Sequence, residues 1–175
     1  MSREELISRL KDLDEEAALL FDPDDRMSMI IVGGGALVLM EYTSRMTHDI
    51  DAIHVSHPLD ALLESYDINC RVQTFINNFP YNFEDRIKHL PIEGKIIDFY
   101  TASLEDIVIA KLFSDRPQDR EDVMNPNIVK QLNWDLLNQL ARGEEVRDNA
   151  LNHRCYQDFI YNFEEYERRY RPCKE

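Results

Sequence analysis

The sequence predicts an α+β fold: a small mixed β-sheet flanked by helices, continued by a helical C-terminal region. Three observations carry that prediction. Residues 3–20 place Leu6, Ile7, Leu10, Leu13, Ala17 and Leu20 at helical spacing. The runs "MSMIIV", "DIDAIHV" and "GKIIDFYTA" are short, rich in β-branched and aromatic residues, and bounded by turn formers. Beyond the third run the chain is helical in character, so helices and strands alternate first and helices alone come last. At 175 residues the chain suits one compact unit that buries its own core. The expected division is an α/β core over 1–124 with a helical extension packed on it over 125–175.

In chain order, the first helix ends before "FDPDDR", and a strand then runs into glycine. "GALVLMEY" holds helix formers without a breaker, so residues 27–42 parse as strand, glycine turn, helix. "DIDAIHV" is the second strand, and Pro58 opens a helix through "LDALLESY". Residues 68–91 mix aromatics with turn formers and are expected to hold a short helix around Phe83 to His89. After the third strand, "SLEDIVIAKLF" begins with Ser103 as N-cap and Asp106 three residues on, a capping box. Residues 127–170 read as helix with a break near Arg142 and Gly143.

Composition excludes some functions. A formal net charge of −14 speaks against broad electrostatic binding to nucleic acid, whose non-specific affinity comes from Lys and Arg on phosphates. A local basic pocket drawn from Arg45, Arg71, Arg86, Lys88, Lys111, Arg116 and Arg120 stays open. There is no apolar leader segment and no run near the roughly 20 apolar residues of a membrane span, so a cytoplasmic protein without a membrane partner is expected. Cys70, Cys155 and Cys173 lack paired spacing and read as free thiols. His48, His54 and His57 cluster in sequence without a zinc-ligand pattern.

Chemistry concentrates in "IIVGGGALVLMEYTSRMTHDIDAIHV", residues 30–55. Alternate residues of a strand share a face, so Asp49 and Asp51 project together with Cα atoms about 6.5–7 Å apart. Two like charges that close repel unless a cation lies between them, and hard oxygen donors suit Mg²⁺ or Mn²⁺. Asp98, flanked by Ile96, Ile97 and Phe99, is a third acid in a strand and converges on the pair if the two strands are neighbours. Gly33, Gly34 and Gly35 allow backbone to approach a phosphate closely, although taken alone a plain tight turn explains them better and they match neither the P-loop nor the dinucleotide fingerprint.

Together, Val32-Gly33-Gly34, Asp49-Ile50-Asp51-Ala52 and Asp98 resemble the signature of the nucleotidyltransferase superfamily related to DNA polymerase β. "GGGAL", "R.T.DID" and "IVIAKLFSDRPQDREDV" are most similar to a small bacterial branch that includes AbiEii-type toxins, over roughly residues 28–124. The serine that many such enzymes carry after the first glycine is absent, and Ala52 is small where a larger apolar residue is usual. The resemblance implies the nucleotidyltransferase fold and transfer of a nucleoside monophosphate from an NTP to an RNA or protein acceptor. It implies Asp49, Asp51 and Asp98 as metal ligands, with Asp98 alternatively the base for the incoming nucleophile. Gly33 and Gly34 or Gly34 and Gly35 would cradle the triphosphate, Lys111 and Arg116 would offset phosphate charge, and Arg45 and Thr47 would touch phosphate or shape the loop. Asp119 and Asp122 match acidic positions of the last block, where helix capping and ion pairing with Arg116 and Arg120 is the competing account. A toxin–antitoxin or phage-defence role follows from the same likeness. The alternative is a catalytically silent member of the fold that binds a partner, an antitoxin or a second copy of the chain.

Overall fold

The computed structural model describes residues 1–172, without the side chains of Gln73 and Thr74; Cys173 lies outside the described residues. Contacts divide the chain into two units, 1–74 with 87–102 and 75–86 with 103–175. The division expected at 124/125 runs through the second of them. Both units are built from helices, and the first also holds a mixed five-stranded sheet, which makes the fold α+β.

In the first unit, α1 (Arg3–Leu20) begins at a Ser2–Glu5 capping box and buries Leu6, Leu10, Leu13 and Ala17. β1 (Met27–Val32) is buried at every position but Ser28, as the run of Met, Ile and Val demands, and sits at the centre of the sheet. It leads directly into α2 (Gly33–Leu39). β2 (Ile50–Ile53) lies antiparallel to β1, with Val32 opposite Asp51. Where a longer helix was expected after Pro58, the chain makes a 3-10 turn at His57–Leu59, a single turn α3 (Asp60–Leu63) and a second 3-10 turn at Glu64–Tyr66. Asp67, at φ 52°, then reverses the chain into β3 (Ile68–Asn69), which pairs in parallel with β2.

The short helix expected around Phe83 to His89 forms only over its first half, and its second half is corrected. Phe83–Arg86 is a 3-10 turn, and Lys88 and His89 form β4, an exposed edge strand antiparallel to β5 (Ile97–Thr101). β5 in turn runs parallel to β1, giving the order β3-β2-β1-β5-β4.

A buried carboxylate fixes the start of β5. Asp14, on the core side of α1, accepts the backbone N–H of Lys95 (2.6 Å) on one oxygen and those of Ile96 (3.0 Å) and Ile97 (2.8 Å) on the other. The loop can wrap the carboxylate this closely because residue 94 is glycine; a Cβ there would stand 2.1 Å from the Ile97 carbonyl oxygen.

In the second unit, α4 (Leu104–Leu112) opens at Ser103, whose hydroxyl accepts the Asp106 N–H (3.1 Å). Only half of the expected capping box forms. Asp106 does not reach back to the cap backbone; it accepts the Ser103 hydroxyl (2.6 Å) and two donors of Arg86, all on a fully buried carboxylate. Five helices come after it: α5 (Pro117–Val123), α6 (Pro126–Gln131), α7 (Trp134–Arg142), α8 (Glu144–Arg147) and α9 (His153–Tyr170), with the expected break at Gly143. Phe113 and Phe159 stack at 4.3 Å in this unit's core. The Tyr166 hydroxyl donates to the Val123 carbonyl (2.7 Å), and burial pushes its ionisation up. Among the described residues, no helix is long and apolar enough to cross a membrane.

Candidate functional site

The first unit brings seven of the expected residues together where β1 ends. Gly33 has φ +65°, a left-handed conformation that glycine takes without steric cost. A Cβ on it would lie 2.9 Å from Asp51 Oδ2, so the residue is bare because the carboxylate sits against it. A Cβ on Gly34 would meet Arg45 Nη2 at 3.2 Å and Thr47 Oγ1 at 3.5 Å, and one on Gly35 would meet the Asp49 carbonyl oxygen at 3.7 Å. Three consecutive glycines therefore face, in turn, the second acid, the arginine with the threonine, and the backbone of the first acid.

The loop between α2 and β2 supplies those partners. Thr47 is buried, and its hydroxyl donates to the Asp49 carbonyl (3.1 Å), which anchors the backbone immediately before β2. Asp49 itself is exposed one residue ahead of the strand, whereas Asp51 is half-buried within it.

One member of the arrangement escaped sequence reasoning. Asn69 stands beside Asp51 across the β2–β3 pairing and donates from Nδ2 to Asp51 Oδ1 (3.0 Å). Its own Oδ1 accepts the Arg71 N–H (3.1 Å), and that bond sets which end of the amide faces the acid. Two residues make no alternating pattern, so the only signal was a polar residue after an isoleucine and a left-handed turn.

Asp98 is not part of this cluster, and the expected three-acid convergence is corrected by the register. Asp51 is level with Val32 and Asp98 is level with Ser28, on the two strands that flank β1. Both acids share a sheet face but lie four residues apart along β1 and two strands apart across it, about 16 Å. No ion with oxygen ligands at about 2.0–2.6 Å spans that gap. Asp98 is instead held by both Arg26 donors, Nε at 3.3 Å and Nη2 closer, with His89 Nε2 at 3.7 Å.

The residues from which a local basic pocket stayed open are divided between the two units. Arg86, Lys111, Arg116 and Arg120 belong to the second unit, and each is paired with an aspartate there. Lys111 is buried, with its ammonium 2.6 Å from Asp119 Oδ1 and 2.7 Å from Asp122 Oδ2. Arg116 donates to the other Asp119 oxygen (2.7 Å). Burial acts to raise the Asp119 carboxyl, but the charge and hydrogen bond of Lys111, with bonds from Ser114 and Arg116, outweigh it and leave the group below the usual carboxylate range.

The donor set at the glycines fits a hard divalent ion. Among the described residues no group of three or more His, Cys, Asp and Glu side chains is arranged to hold a metal. Mg²⁺, however, is commonly held by one or two carboxylates, with water and substrate phosphates completing its shell; the Asp51 carboxylate lies against the glycine backbone, and Asp49, exposed two residues earlier, is the available second. Replacing Gly33 by alanine is expected to add about 1–2 kcal/mol of backbone strain and to drive the Asp51 carboxylate from its place. Chemical denaturation should show that modest loss of stability.

The chain matches, over residues 8–171, a family described as nucleotidyltransferase of unknown function (DUF6036). No curated protein and no solved structure shows significant similarity to it.

Proposed function

The chain belongs to this family of nucleotidyltransferases of unknown function, and from that premise we propose that its first unit binds a nucleoside triphosphate with Mg²⁺ or Mn²⁺ and transfers the nucleoside monophosphate to a hydroxyl of an RNA or protein acceptor. The observation that carries the proposal is the face-to-face placement of Gly33 and Asp51, which puts a carboxylate and a bare stretch of backbone at one spot. An ion held by Asp49 and Asp51 would supply Lewis-acid polarisation of the phosphate and neutralise charge on the attacking and leaving oxygens.

The protein's own part is positioning, since phosphoryl transfer asks little covalent chemistry of its catalyst. Gly33, Gly34 and Gly35 let the triphosphate lie against main chain. Arg45 and Thr47 lie over Gly34, which supports giving them the role of contacting it. The acceptor oxygen attacks the α-phosphorus, the bond to the β-phosphate oxygen breaks, and pyrophosphate leaves. The acceptor proton passes to solvent or to Asp49, the exposed member of the pair. Lys111 and Arg116 enter only through the resemblance of their sequence block, because both are held by aspartates in the second unit. A toxin–antitoxin or phage-defence role likewise rests on that resemblance.

One observation favours a second reading, a silent member of the fold that acts by binding a partner: the register keeps Asp98 apart from Asp51. The two readings separate in a thermal titration with each of the four NTPs, with and without Mg²⁺ or Mn²⁺. A ligand that binds the native state alone raises stability by mass action, by about 2.7 kcal/mol at one hundred times its Kd. Metal-dependent stabilisation by one or more nucleotides is the expected result. No shift with any combination would leave the partner-binding reading.

A further inference from the structure

With Asp49 and Asp51 as the metal-holding pair, as proposed above, we infer that Asn69 is the positioning residue of that pair and the reason a divalent ion binds together with the triphosphate and not ahead of it. Asn69 occupies the position directly beside Asp51 on the neighbouring strand. Its amide is oriented by the Arg71 N–H on Oδ1, so the NH₂ end must face the acid. One oxygen of Asp51 is thereby fixed while the other lies against Gly33, and the carboxylate is held from two sides.

The same placement limits the charge of the site. A carboxylate at position 69 would be a third acid next to Asp51, and like charges directly opposite across two strands repel unless a cation joins them. The carboxamide gives Asp51 a donor without adding charge. Two carboxylates and no third leave most of a Mg²⁺ or Mn²⁺ shell to water and phosphate oxygens. Water alone completes that shell with little gain in affinity, so the ion is held firmly only when the triphosphate adds its oxygens.

The test compares the full chain with Asn69→Ala and Asn69→Asp, following thermal unfolding in EDTA, in Mn²⁺ alone, and in Mn²⁺ with a mixture of the four NTPs. For the unaltered chain the midpoint should stay put in Mn²⁺ alone and rise with Mn²⁺ and NTP. In Asn69→Ala the rise above its own metal-free midpoint should shrink, with affinity down about 10–100-fold as for other groups that orient metal ligands. Asn69→Asp should melt lower than the unaltered chain in EDTA and be raised by Mn²⁺ alone, a metal rescue that a merely structural asparagine would not produce. If Asn69→Ala responds to Mn²⁺ and NTP as the unaltered chain does, or Asn69→Asp ignores Mn²⁺, the positioning role is overturned while the nucleotide site stands. A chain that responds to no combination overturns both.

Discussion

Asp51→Asn is expected to abolish metal-dependent nucleotide binding and to lower pyrophosphate release about 10²–10⁴-fold, the several kcal/mol that metal stabilisation of phosphoryl charge supplies. The substitution keeps the shape of the side chain and an oxygen to accept the Asn69 amide, so the hydrogen bond across β2 and β3 can survive. Asp51 is half-buried and sits among charges and bare backbone, so its replacement opens no cavity in the core. Stability without ligand should accordingly hold to within about 1 kcal/mol, with a gain where the repulsion between Asp49 and Asp51 is relieved. Asp98→Asn is the instructive contrast. It weakens the bond to Arg26 at the far end of the same sheet face and should leave the nucleotide response intact. Equal loss of response in both variants would mean that Asp98 acts in the site despite the register.

That contrast marks how far the residues themselves could be read. Strand, helix and second strand were legible because each rests on neighbours in sequence: a β-branched run, helix formers, an Asp-x-Asp; the three glycines, expected as a turn between strand and helix, form the first turn of the helix itself. The cluster of Gly33 to Gly35 with Arg45, Thr47, Asp49 and Asp51 spans fewer than twenty residues, and one hairpin-like excursion closes it. Asp98 depended on something no local pattern carries, the offset between distant strands. β5 runs parallel to β1, so its residues nearest the Asp51 end are those about Thr101, and an acid at 98 falls near the strand's start. Asn69 and the Lys88–His89 edge were missed because two-residue strands have no period to detect. The block "AKLFSDRPQDRED" was recognised as a unit, yet its physical sense differs from the expectation for Lys111. The lysine and both acids satisfy one another, which a linear reading with separate roles for each could not express.

Lys111→Met puts that internal balance to the test and should be the most destabilising single change in the second unit. Methionine matches the length of the lysine stem and leaves little void, so the effect isolates the charge. Asp119 and Asp122, each about 5% exposed or less, would lose the ammonium between them, leaving Asp119 with Arg116. Breaking a buried ion pair by removing one partner costs about 3–5 kcal/mol, a large part of a typical total of about 5–15. The sign of the pH dependence identifies the cause. In the unaltered chain the Asp119 carboxyl lies below its ordinary range, so the stability it contributes is full above the unfolded pKa of about 3.9 and is lost as pH falls through the folded value. Without Lys111, Asp119 keeps the bonds from Ser114 and Arg116 but loses the charge that most offsets its burial, so its carboxyl rises from the lowered range. The destabilisation is then greatest at neutral pH and shrinks as acid protonates Asp119 in the variant ahead of the unaltered chain, so urea midpoints of the two proteins should draw together as pH falls from about 5 to below about 3.9. A constant difference across that range would show that lost packing, and not the lost ammonium charge, causes the destabilisation.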